Sequence, residues 1–112
     1  MESILTSIKK LLGIEAEYEH FDPDIIMHIN STFMILTQLG VGPVDGFFIE
    51  DETSVWTDFL PATAKLEAVK SYIYLKVKLL FDPTAMTAAL TESINQQIKE
   101  LEWRLNVAAE SN

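Results

Sequence analysis

A small all-α bundle is the fold this sequence predicts: three long helices, a short N-terminal helix, and an irregular or short extended segment around 41–60. Three observations carry that expectation. The tripeptide Phe-Asp-Pro occurs twice, at 21–23 and 81–83, and reads each time as a helix start. Asp accepts the free N–H groups of a first turn, Pro is favoured next because its missing N–H is not needed there, and Phe can staple onto the fourth helical residue, Ile26 or Met86. Apolar residues recur at three- and four-residue spacing over long windows. Glycines stand where those windows end, at Gly13 and Gly40, as left-handed cap residues do.

Taken in order, Ser3 caps a first short helix with Leu5, Ile8, Leu11 and Leu12 on its apolar stripe. An acidic connection, Glu15 to His20, follows. The second helix, about 23–39, has Ile25, Ile26, Ile29, Phe33 and Leu36 on one face and Met27, Met34 and Ile35 on others. A helix apolar nearly all round is either central or has a second partner surface. Gly42-Pro43 turns the chain. Val44 to Ile49 reads as a short extended piece with Asp45-Gly46 as a turn. Thr53 or Ser54 then caps a turn of helix through Leu60, with Val55, Trp56, Phe59 and Leu60 on one side. Pro61 opens the third long helix, about 61–80, striped by Leu66, Val69, Ile73, Val77 and Leu80 and widened by Tyr72, Leu75 and Leu79. The fourth, about 83–107, spans roughly 35–40 Å. Its seam of Leu90, Ile94, Ile98, Leu101 and Leu105 approaches coiled-coil spacing, Glu100 and Arg104 suit an i,i+4 pair, and a short polar tail begins at about 108. The core is expected from the second, third and fourth helices. All 112 residues form one domain, large enough to bury a core without staples.

Composition excludes several function classes. There is no cysteine, hence no disulfide framework, thiolate metal site or cysteine nucleophile. The N-terminus does not read as a signal peptide, and the most apolar stretch, Ile25 to Leu36, is too short and polar to span a bilayer. A soluble protein without membrane contact is expected. The formal charge of -9 opposes phosphate backbones, so duplex binding near physiological salt is not expected. No phosphate-cradling loop or nucleotide fingerprint is present. His20 and His28 have no motif partner and read as structural. The acids Glu15, Glu17, Glu19, Asp22 and Asp24 do not follow the calcium-loop pattern; they read as a solvated connection that also suits the positive end of a helix. No catalytic residue, cofactor site or metal site is predicted. Of the aromatic residues, Phe47-Phe48 reads as a lid on the core in preference to an exposed binding tip. For Trp103, off the seam and flanked by charges, packing on the third helix and anchoring a partner are both open.

The run from Val69 through Tyr72-Ile73-Tyr74-Leu75 to Phe81-Asp82-Pro83, followed by Glu100-Leu101-Glu102-Trp103-Arg104-Leu105-Asn106-Val107, resembles the head–tail connector proteins of long-tailed bacteriophages, also called adaptor or head-completion proteins and common in prophages of Gram-positive bacteria. The Phe-Asp-Pro link and the Glu-Trp-Arg-Leu ending are the most specific elements. The resemblance implies a small helical bundle without cofactor or catalytic residues. It implies a twelvefold ring of copies beneath the portal protein, at the head–tail interface of the virion, made in the cytoplasm of a bacterial host. Genomic DNA would pass through without specific binding, and a stopper or tail-side protein would dock below. By position it implies portal contact through Trp103, Arg104, Asn106 and Val107. Two other readings are an acidic DNA-mimic inhibitor, disfavoured because the acids bunch in connections, and a small helical protein-interaction module. An enzyme with an unfamiliar site has no positive sign.

Overall fold

The computed structural model describes residues 2–81 and 87–110. Among them are four α-helices and no strand: α1 (Ile4–Leu11), α2 (Asp22–Gln38), α3 (Ala64–Phe81) and α4 (Ala88–Glu110), with one 3-10 turn at Trp56–Asp58. The shape is a slab, 39 × 35 × 20 Å. α3 lies in its middle, packed against α2 on one side and α4 on the other, and α1 sits against α2. The centre is therefore α3, and α2 is a flank.

The core joins all four helices. Ile25, Ile29, Phe33 and Leu36 of α2 meet Leu66, Val69, Tyr72, Ile73 and Val77 of α3, while Ile94, Ile98 and Leu105 close it from α4. The short α1 contributes more than expected, since Ile4, Leu5 and Ile8 are all fully buried or nearly so. It is tied to the middle of the chain by an antiparallel bridge between Ser3 and Val55, by Ile4 N–H donating to the Ser54 carbonyl at 3.0 Å, and by Trp56 Nε1–H donating to Ser7 Oγ at 2.8 Å. Full burial of side chains of this size stabilises by about 1.5–3 kcal/mol each.

Several helix starts differ from the sequence reading. Ser3 does cap α1, accepting from Thr6 N–H at 3.2 Å. Asp22 does not cap α2: Phe21 holds the cap position without a side-chain bond, and Pro23 is the second helical residue. The Asp22 carboxylate turns instead to the ammonium of Lys9, 2.8 Å away, because a buried cation attracts it more strongly than neutral N–H groups do. Phe21 packs edge-on against Phe81 at 5.2 Å between ring centres, a contact with a residue sixty positions on that lies beyond the local staple expected with Ile26. α3 begins at Ala64, three residues after Pro61; Thr63 supplies the first-turn acceptor, its hydroxyl 3.4 Å from Leu66 N. α4 begins at Ala88 with Thr87 as its cap, accepting from Leu90 N–H at 3.1 Å, and runs to Glu110. The predicted Asp82 cap and Met86 staple lie outside the described residues.

The segment 41–60 makes no strand. Asn30 ties this segment to α2 at Ile49: its Nδ2 donates to the Ile49 carbonyl at 2.9 Å and its Oδ1 accepts from Ile49 N–H at 2.8 Å. Neither Thr53 nor Ser54 caps the 3-10 turn. Val55 precedes it, and the Asp58 carboxylate accepts from Val55 N–H at 3.0 Å. Phe47 packs on Phe33 and Phe59, whereas Phe48 is 66 % exposed, so the pair splits into one lid and one outward residue.

Candidate functional site

The four residues singled out near the C-terminus lie on α4, and the structure divides them by role. The helix buries Ile94, Ile98 and Leu105 against the core, which directs Trp103 and Val107, one turn apart, to the opposite side. Trp103 is 65 % exposed, so of its two readings packing on α3 is excluded. Leu90, assigned to the seam from its spacing, is exposed as well. Arg104 reaches back one turn to Glu100, its guanidinium donating twice to one carboxylate oxygen at 3.2 and 2.8 Å. Both partners are more than half exposed, so this bond orients the guanidinium and adds little stability. Asn106 is half-buried; its Nδ2 donates to the Leu39 carbonyl at the end of α2, at 3.4 Å. It fixes the end of α4 against α2 and so positions the outward face without forming part of it.

The position of α4 is set from α3. Tyr72 is fully buried and its hydroxyl donates to Glu102 Oε2 at 2.6 Å. Burial, with the adjacent carboxylate, holds that phenol well above its ordinary range, so it stays protonated and the bond persists at physiological pH.

One lysine is buried where the sequence pattern predicts a solvated side chain. Lys9 is 2 % exposed. Its ammonium donates to the carbonyls of Ala16 at 3.0 Å and Tyr18 at 2.7 Å and faces Asp22. The acidic connection 15–20 is thus wrapped around one internal cation. The only sequence signal was a lysine two residues before the end of an amphipathic helix, which ordinarily lies in solvent. His20 is exposed, its ring tilted against Tyr18 and edge-on to Phe21; His28 is half-buried on α2.

Among the described residues no group of three or more His, Cys, Asp or Glu is placed to hold a metal ion, and no helix is long and apolar enough to cross a membrane. Large apolar side chains stand outward at several places: Trp103 and Val107 on α4, Met27 and Met34 on α2, Val44 and Phe48 in the loop that follows. The profile of the phage connector protein family matches residues 4–112. The chain belongs to the phage connector protein family. Membership gives this connector a structural role in the phage head–tail region and interactions with other virion proteins there. No curated protein and no solved structure matches it significantly.

Proposed function

We propose that this connector is a virion protein that assembles as a twelvefold ring beneath the portal. There it extends the DNA channel and offers its lower surface to a stopper or tail-side protein. The observation that carries this reading is the exposed indole of Trp103 on the outward face of α4, with Val107 one turn on and Arg104 beside it. An isolated domain gains nothing by keeping a tryptophan in water, and tryptophan with arginine is the pairing enriched at interface hot spots. Portal contact is assigned to Trp103, Arg104 and Val107, with Asn106 holding the helix end in place. The net charge of -9 suits a channel wall along which DNA passes without being gripped. The reading contains no catalytic step and no cofactor.

The test is co-sedimentation with purified portal rings. Trp103→Ala should melt like the wild type and lose about 2 kcal/mol of portal affinity or more. A folded Trp103→Ala protein that docks with wild-type affinity removes the anchor. A wild-type protein that ignores portal removes the whole assignment.

A further inference from the structure

We infer that the outer face of α2 of one copy docks head to tail into the groove between α1 and α3 of a second copy. This deepens the ring reading by naming the two faces that meet, and it rests on that reading only for closure of the ring.

The charges of the chain are segregated. Residues 11–64 carry ten Asp or Glu and no Lys or Arg, so all eight basic residues lie before or after them. The outer face of α2 belongs to the acidic part. Its core residues Ile25, Ile29, Phe33 and Leu36 point inward, so Met27 and Met34, 58 % and 60 % exposed, point directly away. Asn30 stands between them in the helical register, and its grip on Ile49 brings the exposed Phe48 beside the same face. Val44 and Asp45 belong to the turn whose Gly46 lies against Thr37 of α2. The result is an apolar strip of flexible methionines and one aromatic ring, bordered by the exposed carboxylates of Asp24, Asp45 and Glu50. Unbranched methionine adapts to irregular partners.

The complementary face is on the same chain. A groove of about 630 Å³ runs between α1 and α3, lined by Lys10, Leu11, Trp56, Lys70 and Tyr74 among others. Leu11 is 54 % exposed there. The acids that also line it, Glu2 and Glu67, are both bound to Lys70, at 3.2 and 3.1 Å. Lys78 borders it through its bond to the Tyr74 hydroxyl at 3.2 Å. Counting Glu2 and Glu67 against Lys10, Lys70 and the bordering Lys78, the groove carries one net positive charge beside the exposed Leu11. A symmetric contact of the α2 face with itself would set Asp24, Asp45 and Glu50 against their own copies, which like-charge repulsion opposes. The acidic strip on the basic groove is the pairing that satisfies both, and it is heterologous, the kind that generates rings.

The absence of native cysteine permits a direct test in the full chain. Met34→Cys and Leu11→Cys, both at exposed positions, are mixed in equal amounts at high concentration, oxidised mildly, and the three dimers counted by mass spectrometry. Random collision makes the mixed dimer twice as abundant as either homodimer. The inference expects an excess of roughly tenfold, falling to the random ratio in high salt. Lys10→Glu with Lys78→Glu on the Leu11→Cys partner should abolish the excess, and Asp24→Lys with Asp45→Lys on the Met34→Cys partner should restore it. A random ratio at low salt, dominant homodimers, or no cross-link overturns the inference. If cross-links form as expected but portal docking fails, only the portal reading falls; if docking persists and cross-links are random, only this inference falls.

Discussion

Replacing Lys9 by Met isolates what the buried ammonium does, because Met keeps the unbranched stem and removes the charge and its hydrogen bonds. The cation is 2 % exposed and serves three oxygens, at 3.0, 2.7 and 2.8 Å. Removing one member of a buried pair costs about 3–5 kcal/mol, since the other charge is left without its counterion. Here two features pull toward the lower end. Asp22 keeps 20 % of its side chain in solvent, and it stands in the first turn of α2, where the helix dipole favours an anion by about 0.3–1 kcal/mol. The carbonyls of Ala16 and Tyr18 lie in an exposed connection and can turn to water. A loss of about 3 kcal/mol is therefore expected, equivalent to a drop of roughly 10–20 °C in melting temperature for a domain of this size. Urea unfolding followed by circular dichroism measures it. Lys10→Met, at the exposed neighbouring position, should stay within about 0.5 kcal/mol of wild type. Asp22→Leu in the Lys9→Met background should recover part of the loss, because the stranded carboxylate is gone. A Lys9→Met protein as stable as Lys10→Met would refute the claim that this cation organises the 15–20 connection.

Tyr72 sets an alkaline limit. Its folded phenol titrates above the ordinary value of 10.0, so its contribution is complete below about pH 10 and is lost as pH rises further; Tyr72→Phe should flatten that part of the stability–pH curve and cost about 1–2 kcal/mol at neutral pH. Asn30→Ala leaves the Ile49 N–H and carbonyl without their partner and should cost about 1–3 kcal/mol, with faster amide exchange at Ile49 as the local readout; unchanged exchange would show the clamp to be dispensable. Gly42 has φ +89°, and a Cβ there would sit 2.3 Å from the Phe59 ring, so Gly42→Ala should destabilise by at least about 1–3 kcal/mol. An equally stable Gly42→Ala protein would mean that Phe59 is not packed where it is described.

Caps, glycines and periodicity were legible because they are local. Ser3 at α1, the left-handed Gly13 and Gly40, and the stripes of α2 and α3 follow from steric and hydrogen-bonding rules acting within a few residues. The tripeptide at Phe21 also marks a real helix start, although the roles of its members changed. In isolation an aspartate at position 22 would cap the helix. Only the folded chain puts Lys9 next to it and Phe81 next to Phe21. Pairings of that sequence separation leave no periodic trace.

The candidate surfaces follow the same division. From its sequence the chain was determined to be an acidic, cysteine-free helical bundle with a tryptophan off the seam of its last helix, and the Phe-Asp-Pro and Glu-Trp-Arg-Leu elements already pointed to the connector family. Which helix is central was decided by tertiary packing, because α2 and α3 are both apolar beyond one face and periodicity cannot rank them. Once α3 takes the middle, the surplus apolar residues of α2, Met27 and Met34, have no neighbour left to bury them. By the same geometry α4 can cover α3 only with the face carrying Ile94, Ile98 and Leu105, so Trp103 is left in solvent. A helix buries the face its neighbours require, and the residues left outside, which no local rule assigns, are the ones available to another chain.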